Sequence, residues 1–249
     1  MMIDTHCHLD YEDYDNLEEV INKMGNNIII VSGASGQGNK HVIELCKKHE
    51  NIYGTIGIHP EEIDENIEEN LKFIEEKINN PKIVGIGEIG LDYYWSKDKK
   101  ELQRKYFKKQ LELAKKYKKC AVIHSRDAIE ETYEILKECG HNKVNIHCFS
   151  GSLEMAEKFV KLGYSLGIGG VLTFKNASKL KEVVKNIDLS HLLLETDSPY
   201  LTPEPYRGKK NEPYNIYFVA QAIAKIKNIS QEEVFEVTTR NAKRQFDLD

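Results

Sequence analysis

The stretch that decides the fold is Ile83-Val84-Gly85-Ile86-Gly87-Glu88-Ile89-Gly90, an apolar run that leads into glycines around one carboxylate. The run at 83–86 is too short for a helix and is typical of a strand buried on both faces. On each side of it, apolar residues recur in a helical pattern, over residues 63–78 and again over residues 102–114. A strand flanked by amphipathic helices predicts a parallel α/β fold.

The same alternation continues in both directions along the chain. Seven more short apolar runs predict strands between Lys- and Glu-rich helical patterns, at residues 2–5, 28–32, 52–58, 121–124, 144–147, 164–168 and 192–196. Eight strands in 249 residues, with no break in composition, predict one domain over residues 1–249 with the fold of a (β/α)8 TIM barrel. A doubly wound open sheet is the alternative, because strand counts from sequence err by about one or two. Ser230 and Glu233 have the spacing of a capping box and predict an extra C-terminal helix.

Composition narrows the class of protein before any motif is considered. The chain carries 35 basic and 40 acidic side chains, and its net charge of −5 disfavours a protein that coats nucleic acid, although it permits a local basic cleft. The five cysteines form no CxxC pair, so no zinc ribbon or thioredoxin-type site is indicated. There is no apolar stretch of membrane-spanning length and no secretory leader pattern. We therefore expect a cytoplasmic, monomeric enzyme without a membrane partner.

Residues able to bind metal or transfer protons follow the predicted strands at their C-terminal ends. They are His6 and His8 after the first strand, Glu88 after the fourth, His124 after the fifth, His147 after the sixth and Asp197 after the eighth. In a TIM barrel these strand ends meet at one rim, where active sites are built. The sequence therefore predicts that the six side chains converge on one pocket.

Each of these residues also has an ordinary structural interpretation. A single histidine after an apolar run is more often a hydrogen-bonded core residue, Glu88 alone would be a solvated turn residue, and Asp197 alone could cap a helix. Their joint occurrence at five strand ends favours metal ligands, with His124 and His147 indicating a second metal position. Nitrogen and oxygen ligands without thiolate suit Mg²⁺, Mn²⁺ or Zn²⁺. Cys7 and Cys148 alternate with the histidines, so we expect both thiols to pack in the core.

At these residues the chain closely resembles the TatD family of metal-dependent deoxyribonucleases, which are amidohydrolase-like metal hydrolases. The matching segments are IDTHCHL (3–9), GIHP (57–60), GEIGLDYY (87–94), HSRDA (124–128), HCFSG (147–151), ETDSPYL (195–201) and RGKKNEP (207–213). The resemblance implies a distorted TIM barrel, two divalent metals and phosphodiester hydrolysis. It also implies which residues hold the metals: His6, His8, Glu88 and Asp197 for one, and Glu88, His124 and His147 for the other. Glu61 departs from the pattern, because many relatives carry another histidine after the His-Pro pair.

Several rim residues are candidates for contact with substrate. His59 is expected to hydrogen-bond a phosphate or to protonate a leaving group, or else to cap the helix that follows it. Arg126, Arg207 and Lys209 supply cations for phosphate binding, although a basic loop is more often solvated surface. The aromatic run at 93–95 is expected either to stack on nucleobases or to pack at the barrel rim.

The leading hypothesis is a two-metal deoxyribonuclease that cleaves DNA, as a 3′–5′ exonuclease or an endonuclease, with RNA as a further candidate substrate. Metal-activated hydroxide is the expected nucleophile, Asp197 the proton acceptor, Glu88 the bridging ligand, and Mg²⁺ or Mn²⁺ the expected metal, with Zn²⁺ as the alternative. The second hypothesis is a binuclear amidohydrolase or esterase acting on an amide, a lactone or an aminoacyl-tRNA ester. The third is a metal-stabilised scaffold without catalysis.

Overall fold

Eight parallel strands stand side by side in one sheet in the computed structural model, which describes residues 1–249, and their order in the sheet is their order in the chain. The strands are β1 (Ile3–Cys7), β2 (Ile28–Ser32), β3 (Ile52–Ile56), β4 (Ile83–Asp92), β5 (Cys120–Arg126), β6 (Val144–Ile146), β7 (Ser165–Ile168) and β8 (Leu192–Leu194). A doubly wound sheet would reverse its strand order at a switch point. The unbroken order β1 to β8, with helices between the strands, confirms the predicted (β/α)8 barrel.

Nine helices cover the outside of the sheet and one end of the ring. They are α1 (Leu17–Asn22), α2 (Gly36–Lys48), α3 (Ile67–Lys77), α4 (Lys100–Tyr117), α5 (Ile129–Cys139), α6 (Leu153–Lys161), α7 (Ser178–Asn186), α8 (Ile216–Lys227) and α9 (Gln231–Phe246). Helix α9 is the predicted extra C-terminal helix, and the Ser230 hydroxyl accepts a hydrogen bond from the Glu233 N–H at its start. None of the nine has both the length and the apolar character that crossing a bilayer requires.

The ring closes between β1 and the segment that follows β8. The Thr5 hydroxyl donates to the Leu194 carbonyl (2.9 Å), and the Asp197 N–H donates to the His6 carbonyl (3.0 Å). The Thr196 N–H donates to the buried Asp4 carboxylate (3.0 Å). These bonds replace a regular strand ladder, and they bring Asp197 beside β1 although β8 itself ends at Leu194.

The N-terminal end of the barrel interior is occupied by a small apolar cluster. Successive residues along a strand contribute alternately to two clusters. One is the large apolar cluster between the strands and the helices; the other is the small cluster, which contains Val122 and Leu193 from the strands and Phe246 from α9. The Asn241 side chain of α9 donates to the Leu192 carbonyl at the start of β8 (2.9 Å). Helix α9 therefore covers the N-terminal end of the barrel and leaves the opposite rim open.

The strand that carries Glu88 is longer than the sequence predicts. Pairing between β4 and β5 shifts register between Ile86 and Ile89 and then continues to Asp92 and Arg126. The prediction that the strand ends before Glu88 is therefore wrong, because the ladder resumes beyond the irregularity. Gly90 makes the continuation possible, since it has a φ of +148° and a Cβ there would lie 1.9 Å from the His124 carbonyl oxygen.

Candidate metal centre

A cavity of about 810 Å³ opens at the rim where the strands end. Its lining includes most of the residues predicted from the sequence: His8, His59, Glu88, His124, Arg126, His147 and Asp197. His6 is fully buried and lies in contact distance of Glu88 and Asp197. The structure thus brings the six predicted ligands together. It does not bring Arg207 and Lys209 into the cavity, because their cationic groups lie near the rings of Phe174 and Tyr206.

Glu88 stands between two sets of histidines and is 4% exposed. Its Oε2 lies 3.4 Å from His6 Nε2 and 3.5 Å from His8 Nε2. Its Oε1 lies 2.8 Å from His124 Nδ1 and 3.2 Å from His147 Nε2. Because the two carboxylate oxygens face different histidines, Glu88 is placed to be shared by two cation sites, which we name the Oε2 side and the Oε1 side.

The Oε2 side has the donor set of a metal site. The Nε2 atoms of His6 and His8 are 3.3 Å apart, and Asp197 Oδ1 lies 3.7 Å from each. His8 donates through Nδ1 to the Ser32 carbonyl (3.0 Å), so its Nε2 carries a lone pair, and the Ser32 hydroxyl lies 3.0 Å from His6 Nδ1. Two ring nitrogens that face each other beside two carboxylates are stabilised by a cation, or by a proton, placed between them. Ligands about 2.1 Å from one ion lie about 3.0–3.4 Å apart, so the residues present fit a divalent metal.

On the Oε1 side, each histidine is backed by a second carboxylate. His124 Nε2 lies 2.9 Å from Asp92 Oδ2. His147 Nδ1 lies 3.3 Å from Glu195 Oε1, which is close enough for an ion pair although the atoms are not aligned for a hydrogen bond. Carboxylates in this position commonly fix the ring orientation of metal-binding histidines and raise their basicity.

The electrostatic surroundings divide the histidines, but not along the two sides: burial acts to lower the pKa of His8 on the Oε2 side, yet its hydrogen bond to Glu88 raises that pKa. Burial, reinforced by His147, lowers the pKa of His6 to about 3. Burial also acts to lower the pKa of His124, but hydrogen bonds to Asp92 and Glu88 outweigh it and raise that pKa to about 9. The pKa of Glu88 is held well below its usual range, despite burial, because of the charge of His147 and the hydrogen bond from His124. Glu88 is therefore ionised, as a bridging ligand must be.

Asp92 and Glu195 are site residues that our sequence reasoning missed. Both lie inside the motifs quoted above and both are buried, at 1% and 0% exposure. Asp92 follows Glu88 by four residues along β4, and Glu195 precedes Asp197 by two. Alternation along an extended chain could have placed each carboxylate on the same side as the ligand near it. Gly167 leaves room for Glu195, since a Cβ there would lie 2.0 Å from its Oε2.

His59 both caps a turn and lines the cavity. Its Nδ1 accepts a hydrogen bond from the Glu61 N–H (3.3 Å) at the start of the 3₁₀ turn Pro60–Glu62. The neutral ring therefore carries its proton on Nε2, which lies 3.7 Å from Glu88 Oε1. Burial lowers the pKa of His59 to about 4, so the ring is a neutral hydrogen-bond donor at neutral pH.

The two cysteines beside the ligands differ in position. Cys7 is buried, and its thiol points to the Ile30 carbonyl. Cys148 is half-buried and lines the cavity, so the prediction that it packs in the core is wrong. The reason is a left-handed backbone at Cys148, with a φ of +46°, which breaks the alternation expected after β6.

Known proteins are similar to this chain over almost its whole length. A family model described as TatD-related DNase matches residues 3–247. The uncharacterised metal-dependent hydrolase YabD of Bacillus subtilis (strain 168) is 44% identical over 252 residues, which cover 99% of each chain. The uncharacterised metal-dependent hydrolase YcfH of Escherichia coli (strain K12) is 33% identical over 260 residues, which cover 100% of this chain and 96% of the relative. The crystal structure of YjjV, a TatD homologue of Escherichia coli K12, superposes with a TM-score of 0.90 at 30% identity, covering 100% of this chain and 98% of the other.

The barrel, the rim residues and these relatives together define a metal-dependent hydrolase of the TIM-barrel class. Within that class the match spans almost every residue, and the predicted motifs lie inside it. The chain belongs to the family of TatD-related DNases.

Proposed function

We propose that this chain hydrolyses phosphodiester bonds of DNA with two divalent metal ions, one on each side of Glu88. The observation that carries the proposal is the position of Glu88, whose two oxygens face two sets of histidines at the floor of an open cavity. Membership of a family described as DNases supports DNA as the substrate.

The proposed ligands follow from the distances around Glu88. His6, His8 and Asp197 would complete the Oε2 side, and His124 and His147 would complete the Oε1 side. Bound ions would supply Lewis acidity and promote ionisation of water at neutral pH. The mixed nitrogen and oxygen ligands suit Mg²⁺ or Mn²⁺, and Zn²⁺ is compatible with the same set.

The protein's own side chains then have distinct tasks. In hydrolysis, a water oxygen attacks phosphorus and the bond from phosphorus to the leaving oxygen breaks. Asp197 orients the attacking water and accepts its proton, while the leaving oxygen takes a proton from solvent. His59 presents Nε2–H to the cavity, where it donates a hydrogen bond to a phosphate oxygen.

Arg126 favours an anionic substrate over a neutral amide or lactone. It contributes the only Arg or Lys side chain in the cavity lining, and it is exposed and forms no ion pair with a carboxylate. An unpaired guanidinium can donate two parallel hydrogen bonds to a phosphate. Arg126 is therefore the side chain that we assign to the phosphate.

The test removes and then replaces the metals, and assays the protein in each state against a panel of substrates. Stripping the metals should abolish cleavage of end-labelled single- and double-stranded DNA, and returning Mg²⁺ or Mn²⁺ should restore it. Asp197→Asn, purified in the same way, shows whether any remaining cleavage comes from a contaminant. If the metal-loaded protein cleaves no DNA but hydrolyses a lactone, an amide or an aminoacyl ester, the nuclease proposal is replaced by the amidohydrolase or esterase alternative.

A further inference from the structure

Three aromatic rings lie in solvent at the mouth of the cavity. Tyr94 and Trp95, which follow β4, are 49% and 62% exposed, and Tyr200, which follows β8, is 60% exposed. Their neighbour Tyr93 is buried, and its hydroxyl donates to Glu131 (2.8 Å). One exposed ring would be ordinary, but Trp95 and Tyr200 in one cavity lining, with Tyr94 packed against Trp95, leave apolar surface in water that a ligand could cover.

The rings after β4 form a supported surface. Tyr94 and Trp95 meet edge to face, with centroids 4.7 Å apart. The Arg126 guanidinium lies 4.2 Å from the centroid of Tyr94 and 5.5 Å from that of Trp95. Of the two rings, Trp95 lines the cavity. Tyr94 and Arg126 therefore support Trp95 at the cavity wall. Arg126 is also the cation that we assign to the phosphate, so the Trp95 ring lies next to the proposed phosphate site.

Tyr200 stands across the cavity from this surface. Strands β4 and β8 are four places apart in a ring of eight, so the loops that follow them lie on opposite sides of the mouth. Tyr200 lines the same cavity, and its ring centroid is 6.4 Å from that of His8. Flat rings thus stand on two walls, with the metal ligands at the floor between them.

We propose that Trp95, supported by Tyr94 and Arg126, is a stacking site for a nucleobase next to the phosphate to be cleaved, and that Tyr200 stacks on the base at the other side. This inference rests on the proposed function. Aromatic side chains stack on nucleobases whatever their sequence, and a nearby guanidinium adds a cation–π contribution. A base in a duplex is already covered by its neighbours, so the site takes unpaired bases.

The experiment uses the fact that Trp95 is the only tryptophan of the chain, so its fluorescence reports on this site alone. Metal-loaded protein is titrated with a cleavage-resistant phosphorothioate oligothymidylate and with an abasic oligonucleotide of equal length and charge. We expect saturable quenching by the oligothymidylate, and about tenfold weaker binding without quenching for the abasic strand. Equal binding and equal fluorescence with both strands would overturn the stacking site while leaving the proposed function intact.

Variants separate stacking from folding. By the anisotropy of a labelled oligothymidylate, Trp95→Ala should bind about tenfold more weakly, and Trp95→Phe should recover most of the affinity because a ring remains. Tyr214→Ala removes a ring that is 41% exposed but lies outside the cavity lining, and it should bind like the wild type. If Trp95→Ala also binds like the wild type, the stacking site is wrong. If neither oligonucleotide binds wild-type protein, the proposed DNA substrate fails as well.

Discussion

The two sides of Glu88 present the same kind of side chain, histidine, but different partners orient the rings. On the Oε2 side, the hydroxyl and the carbonyl of one residue, Ser32, contact both histidines. On the Oε1 side, each histidine has its own buried carboxylate, Asp92 behind His124 and Glu195 behind His147.

This difference changes what each side contributes to metal binding. A neutral partner fixes the rotation and the tautomer of an imidazole, whereas a carboxylate also raises its basicity. A more basic imidazole binds metal more strongly but also holds a proton more strongly, as the raised pKa of His124 shows. The partner behind the rings on the Oε2 side therefore acts through orientation, and the partners behind the rings on the Oε1 side act through charge as well.

Replacing Glu88 should have the largest effect, because both sides share its carboxylate and both should lose metal affinity. Glu88→Gln keeps the shape of the side chain and removes its charge. We expect loss of bound metal at both sides and a fall in cleavage rate on the order of 10³-fold or more, since metal ions supply several kcal/mol of transition-state stabilisation. Metal content after equilibrium dialysis and steady-state cleavage rates measure the two effects.

A matched control for this variant is Glu61→Gln. Glu61 also lines the cavity, but the one histidine within 4.0 Å of its carboxylate is His59, whose Nδ1 lies 3.9 Å from Glu61 Oε2. The control should retain its metal. Full metal content in Glu88→Gln would show that the carboxylate is not shared between two ions.

The sequence predicted which side chains would meet at the rim because barrel geometry made that prediction simple. Parallel strands in chain order bring their C-terminal ends to one rim, so a histidine near a strand end needs no further information to reach the pocket. Asp197 was found in this way although it lies three residues beyond β8, because its N–H binds the His6 carbonyl and its φ of +54° turns the chain inward.

Other residues depend on details that a sequence pattern does not contain. The continuation of β4 beyond Glu88 depends on the register shift between β4 and β5. The exposure of Cys148 requires its left-handed backbone. Arg207 lies on the long connection between β8 and α8, and no strand fixes the direction of that loop, so its place over Phe174 could not be read from the motif.

Replacing Asp92 should affect one side only. Asp92→Asn leaves an oxygen that can accept from His124 but removes the negative charge behind the ring. We expect metal affinity on the Oε1 side to fall about 10- to 100-fold, the range typical of such partners, with the Oε2 side unchanged. Calorimetric titration of metal-free protein with Mn²⁺ should resolve the two sides. Equal losses on both sides would contradict the separation between them.

Replacing Ser32 should give the smallest effect, and it decides whether geometry or charge governs the Oε2 side. Ser32→Ala removes the hydroxyl that lies 3.0 Å from His6 Nδ1 and 2.8 Å from the Thr55 hydroxyl. The backbone carbonyl that holds His8 remains, so that ring keeps its tautomer. We expect less than about a tenfold loss of Mn²⁺ affinity on this side. Urea denaturation should show about 1 kcal/mol of lost stability for the broken hydrogen bonds. A loss as large as that of Asp92→Asn would mean that the Ser32 hydroxyl tunes the basicity of His6, and that the two sides differ less than their partners suggest.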